Sequence, residues 1–150
     1  AMGERGCTLI FGGCDTGLMQ AVSHAAAENG GKVISVRIRG LLDAFDASIV
    51  SEDEIMENVQ ERKRRLITLA DACIALPGGF GTLDEIGDVL SMTQLQDMKK
   101  PLGLLNIKGY FDGLLHFADT MEKEGFLSPS DRQLLKVAED PTELLDEVMQ

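Results

Sequence analysis

The sequence predicts an α/β fold: a Rossmann-like parallel sheet with helices on both faces, three layers in all. Three observations carry this. Short apolar runs alternate with longer segments of helical periodicity along the whole chain. The runs are continuously apolar, as strands covered on both faces are. Glycine-rich turns follow two of them just before helices begin, at the strand ends where such sheets bind ligands.

Thr8-Leu9-Ile10-Phe11 reads as the first strand, ending at Gly12-Gly13. A helix follows over about 17–28, with Leu18, Ala21, Val22 and Ala25 on one face, and Asn29-Gly30-Gly31 stops it. Lys32-Val33-Ile34-Ser35-Val36 is the second strand, and residues 37–50 read as irregular. Ile55, Val59, Leu66 and Leu69 recur at helical spacing and predict one long helix over 51–70. Ala72-Cys73-Ile74-Ala75-Leu76 is a buried strand, followed by a glycine turn and a helix over 83–95. Pro101 opens a strand over 102–106, and a helix over 111–124 ends at Gly125. Ser128-Pro129 and Asp140-Pro141 each place proline at the first position of a helix. The last helix runs over 142–149, with Glu143 placed to complete a capping box. No internal repeat, low-complexity segment or linker interrupts the chain, so residues 1–150 are expected to form a single domain.

The 150 residues are 44% hydrophobic and 26% charged, an ordinary globular balance. No apolar run approaches the roughly 20 residues that span a bilayer, and no signal-peptide pattern is present. Cys7, Cys14 and Cys73 have no metal-ligand spacing, and their odd number favours a reducing compartment; a cytoplasmic protein is expected. The net charge of −11 argues against nucleic acid or an anionic membrane as partner. Against that background Arg62-Lys63-Arg64-Arg65 is a local exception. It reads either as compensating charge for a bound phosphate or as a solvated helix face.

The strongest signal is Pro77-Gly78-Gly79-Phe80-Gly81-Thr82-Leu83-Asp84-Glu85. Three glycines between a strand and a helix let the backbone approach a ligand, and N–H groups at the helix start favour negative charge. The competing reading is a tight turn without a ligand. Thr82-x-x-Glu85 is also a capping-box pattern, which would give Glu85 a purely structural task. Its functional reading is a carboxylate that meets positive charge developing on a sugar. Arg62 can grip a phosphate or ribose with its planar fork, and Lys63 adds a point charge. Gly12-Gly13-Cys14-Asp15-Thr16-Gly17 is a second glycine turn, short of the full dinucleotide fingerprint. His24 and His116 neighbour no motif, so neither a Cys–His enzyme nor a zinc site is expected.

Arg62-Lys63 followed by Asp71-Ala72-Cys73-Ile74-Ala75-Leu76-Pro77-Gly78-Gly79-Phe80-Gly81-Thr82-Leu83-Asp84-Glu85 resembles the LOG ("Lonely Guy") family of cytokinin riboside 5′-monophosphate phosphoribohydrolases, often labelled lysine decarboxylase-like. The similarity continues through Gln94-Leu95, Lys100-Pro101, Leu104-Leu105-Asn106, Gly109-Tyr110-Phe111-Asp112 and Glu124-Gly125-Phe126. Upstream, Gly12-Gly13, Gly17-Leu18-Met19 and Gly30-Gly31-Lys32-Val33-Ile34 also fit. The resemblance implies a Rossmann-like homodimer with its active site near the dimer interface. It implies hydrolysis of a nucleoside 5′-monophosphate, AMP or a cytokinin riboside monophosphate, to free base and ribose 5-phosphate. Carried over by position, Arg62 and Glu85 are the catalytic pair. Gly78, Gly79, Gly81 and Thr82 hold the 5′-phosphate, with Gly13, Lys63 and Phe80 in the same substrate-binding set. No metal or redox cofactor is implied.

The family pattern has one further strand and helix ahead of the segment matching residues 8–13, so the expectation is a sheet edge left uncovered. Val59-Gln60 stands where the family has Met-His before the Arg-Lys pair, and Met92 where it has Trp. Two other readings stay open. One is a non-catalytic nucleotide or phosphometabolite binding protein on the same fold, like the molybdenum-cofactor carriers. The other is lysine decarboxylation, whose pyridoxal phosphate would need a lysine at the glycine turn, where only Lys63 is a candidate.

Overall fold

The computed structural model describes residues 1–40, 46–95 and 100–150. They form two compact units, residues 1–70 and 71–150, each a parallel three-stranded sheet flanked by helices. The predicted α/β, Rossmann-like class is therefore observed.

In the first unit β1 (Leu9–Phe11), β2 (Val33–Ile38) and β3 (Glu52–Met56) lie in the order β1-β2-β3, all parallel. Phe11 pairs with Ser35, and Ile34 to Ile38 run alongside Glu52 to Met56. The helix α1 (Gly17–Glu28) packs on β1 and β2, and α2 (Val59–Leu69) on β2 and β3. Leu9, Phe11, Ala26 and Val33 form its apolar core, with Val22 and Ala27 against it. Ser23 and Ala26 are the buried residues of α1, while Leu18, Ala21 and Ala25 of the predicted face are exposed.

The predicted helix over 51–70 is corrected: its first part is β3, and α2 begins only after Asn58. The Asn58 side chain accepts from Glu61 N at 2.9 Å, and Glu61 accepts in return from the Asn58 amide at 2.9 Å and from Glu57 N at 3.3 Å. That reciprocal cap fixes the helix start. The acidic run is stable as a strand because Lys32 just before β2, Arg37 of β2 and Arg65 of α2 supply its counter-charges. Lys32 meets Glu52 at 3.1 Å, Arg37 grips Asp53 through Nε at 2.9 Å and through Nη2, and Arg65 grips Glu54 at 2.6 and 2.7 Å. Of the residues read as irregular, Arg37 and Ile38 belong to β2, a short 3₁₀ turn covers Ala47–Ile49, and 41–45 lie outside the described residues.

In the second unit β4 (Cys73–Ala75), β5 (Leu102–Leu105) and β6 (Leu135–Ala138) are again parallel, in that order. The helix α3 (Phe80–Gln94) packs on β4 and β5; α4 (Asp112–Lys123) follows β5, and α5 (Pro129–Arg132) precedes β6. The helix α6 (Pro141–Val148) covers β5 and β6. It fits there because Gly103 has no side chain: an added β-carbon would lie 2.9 Å from Leu144 Cδ1 and 3.0 Å from Val148 Cγ1. Both proline-led helices start as predicted. Ser128 accepts from Asp131 N at 3.1 Å, and Asp140 accepts from Thr142 N at 2.8 Å and Glu143 N at 3.0 Å. The sequence reading missed β6, because α5 stops after one turn and Leu135 and Ala138 are drawn into the sheet beside β5.

Candidate active site

In the second unit β4 delivers the chain to Pro77-Gly78-Gly79, and Gly79 is the N-cap of α3. Here the capping-box reading is corrected. The helix starts at Phe80, so Thr82 already lies inside its first turn and Glu85 lies about one turn further in. Gly79 makes no side-chain cap, and Glu85 is too deep in α3 to close one. Glu85 is half-buried and near enough to Cys73 of β4 to act on its thiol. Burial pushes the Cys73 thiol up, nearby Lys100 draws it down, and Glu85 pushes it up again.

The three glycines differ in why they are glycine. A β-carbon at Gly78 would overlap Thr82 Oγ1, so the hydroxyl lies against the turn only because Gly78 has no side chain. Gly79 and Gly81 are exposed, have no positive φ, and a β-carbon on either would meet nothing within 4 Å. Neither packing nor backbone geometry asks for glycine there. Open ground above helix-start N–H groups is what close approach by an anion requires. Phe80, between them, is 91% exposed.

Tyr110, which the sequence reading left out of the site, holds this turn from the side. Its hydroxyl donates to the Gly78 carbonyl at 2.6 Å. It is presented by a clamp at the end of β5: buried Asn106 accepts from Phe111 N at 2.7 Å and donates to Asp112 at 2.8 Å. Its place just after a parallel strand, in Gly109-Tyr110-Phe111-Asp112, was the available signal. Gly78, Thr82, Leu83, Tyr110, Phe111, Gly113, Leu114 and Phe117 line a cleft of about 340 Å³ beside the turn.

The first unit holds the remaining predicted residues: Gly13, Arg62 and Lys63. The basic run is not a solvated face, since Arg64 alone of the four is exposed. Arg65 is committed to Glu54, and Lys63 is buried. Arg62 donates through Nε to the Val36 carbonyl at 3.0 Å, and its guanidinium lies against Gly12. Gly13 has φ +71°, and the aliphatic stem of Arg37 crosses the place of its missing side chain. Structure thus brings Arg62 and Arg37 to the Gly12-Gly13 turn; Arg37 was not singled out in the sequence, although it too sits near the C-terminal end of a parallel strand. The partly buried His24 pairs with Asp15 at 3.1 Å, while Cys14 contacts Thr16 at 3.1 Å.

The fold and the turn define the class: an α/β protein with a glycine-rich strand-to-helix turn at the C-terminal end of a parallel strand. The chain belongs to the LOG family; a family model described as "Possible lysine decarboxylase" matches residues 19–148. It is 41% identical over 143 residues to the probable cytokinin riboside 5′-monophosphate phosphoribohydrolase LOGL5 of Oryza sativa subsp. japonica, covering 95% of this chain and 58% of that protein. It is 40% identical over 145 residues to LOGL3 of the same plant, a protein of the same description, covering 96% and 69%. The chain therefore spans little more than half the length of the first of these relatives. Its fold is also similar to that of the molybdenum cofactor binding protein from the phototrophic bacterium Rippkaea orientalis. There the TM-score is 0.73 and the identity 22%, over 99% of this chain and 82% of that one.

Proposed function

We propose that this chain hydrolyses the N-glycosidic bond of a nucleoside 5′-monophosphate, AMP or a cytokinin riboside monophosphate, releasing the free base and ribose 5-phosphate. The observation that carries the reading is the pair Gly79 and Gly81, glycines that the fold itself does not require, at the start of α3. The phosphate sits on the α3 N-terminus, with Thr82 and the backbone N–H groups as donors. The C1′–N bond breaks with its electron pair leaving on the base, which takes up a proton, and water adds its oxygen to C1′. Glu85, one turn inside α3, stabilises positive charge on the ribose or orients that water, and Arg62 positions the substrate. The relatives' names support the same reaction.

Residues 1–150 act in this reading as one nucleotide-binding domain, in the cytoplasm and as a homodimer. Among the described residues no helix is long and apolar enough to cross a membrane. Support for a second copy comes from Leu83, Tyr110 and Phe117, large side chains 44%, 54% and 59% exposed in one unit. The test is product analysis after incubation with AMP and with N6-isopentenyl-AMP. Free base and ribose 5-phosphate are expected, and Glu85→Gln should lower turnover about a hundredfold or more while nucleotide binding persists. Binding without base release would instead establish a phosphometabolite binding protein. Unchanged turnover in Glu85→Gln would remove that residue's role.

A further inference from the structure

Arg62 is held in a particular way. Its Nε donates to the Val36 carbonyl at 3.0 Å, one residue beyond the last β1–β2 pair, Phe11 with Ser35. Its Nη2 occupies the space a Gly12 side chain would fill, with Arg62 Cζ 3.1 Å from that point and Met19 Sδ 3.6 Å from it. Gly12 is buried and, unlike Gly13 with its φ of +71°, is not among the residues with positive φ. Alanine at 12 therefore meets no backbone strain of that kind. The foremost obstacle to it is the guanidinium itself. A planar fork fixed at one nitrogen by a strand carbonyl and laid against a bare α-carbon has lost most of its rotamer freedom before any ligand arrives.

We infer that Gly12 is a positioning residue for Arg62: the missing side chain at the end of β1 and the Val36 carbonyl together form the cradle that sets the guanidinium for its work on the substrate. This rests on the phosphoribohydrolase reading and adds to it a residue that touches no substrate. A methyl group at position 12 displaces the guanidinium without changing its charge, so its effect is one of placement.

The test compares Gly12→Ala, Arg62→Ala and the double variant, with AMP as substrate. Gly12→Ala should lower kcat about a hundredfold, the scale of an ångström-sized misplacement, and leave KM within about threefold, because placement in the transition state rather than uniform binding is lost. The double variant should be no slower than Arg62→Ala, since the two changes remove the same function. The double variant also removes the clash, so its melting temperature separates misfolding from misplacement. In nitrogen–proton spectra the Arg62 Nε–H signal, identified by its loss in Arg62→Lys, should be protected from exchange in the native protein and unprotected in Gly12→Ala. A Gly12→Ala protein with native kcat, or with full Nε–H protection, overturns the inference. So does a double variant in which the two losses multiply. Full turnover in Arg62→Ala would instead overturn the role of Arg62, and the cradle's purpose with it.

Discussion

At the scale of single residues the glycines separate into kinds that a sequence prints identically. Gly78 is required by Thr82, Gly12 by Arg62 and Gly13 by its backbone, whereas Gly79 and Gly81 are required by nothing in the described residues. Gly81 lies in the first turn of α3, where alanine is the better helix former by up to about 1 kcal/mol. Gly81→Ala is therefore expected to melt at the same temperature or higher. Its AMP affinity should nevertheless fall about tenfold, a loss of about 1.4 kcal/mol. Thermal shift with and without nucleotide reads both effects; a stabilised variant with native affinity would leave Gly81 without a task. The turn was legible from its residues because a strand, glycines and a helix start occur in that order. The position of Glu85 was misread, since Thr82-x-x-Glu85 has capping spacing and only the structure shows that the helix starts three residues earlier than predicted, at Phe80.

At the scale of elements β1, β2, β4 and β5 were legible from their apolar runs, whereas β3 and β6 were not. The strand β3 is acidic and half-exposed, and its identity depends on Lys32, Arg37 and Arg65, which neither its composition nor its periodicity displays. Those pairs make the strand sensitive to acid. Arg37 holds the Asp53 carboxyl below the ordinary carboxylate range, and Arg65 does the same for Glu54. With folded values below unfolded ones, the pairing contributes fully above the unfolded values and is lost as pH falls through the folded ones. Melting temperature should therefore drop on acidification below about pH 4. Asp53→Asn should start lower at neutral pH and fall less steeply, which melts across pH would show. The second unit offers a complementary test at the Asn106 clamp. Asn106→Ala leaves the Phe111 N–H without its partner and should cost about 1–3 kcal/mol in denaturant unfolding, while freeing Tyr110 from its fixed approach to Gly78.

At the scale of the whole molecule the net charge of −11 and the exposed apolar side chains of the second unit pull in opposite directions. Charge keeps copies apart, and apolar surface draws two of them together. Light scattering should report about twice the chain mass of 16.3 kDa, and Phe117→Asp should shift the protein toward monomer. A native protein already monomeric at micromolar concentration would contradict the dimer. The surface on which this prediction rests was only partly legible. The sequence gives charge and hydrophobic content, but which large side chains stay exposed depends on how α3 and α4 pack around the cleft.

Tyr110 has one more consequence. The chain contains one tyrosine and no tryptophan, and that tyrosine is bonded through its hydroxyl to the glycine turn. The near-ultraviolet emission of the protein is thus that of a single phenol in the lining of the cleft. Occupancy of the turn is open to direct optical titration, with no dye, label or added chromophore.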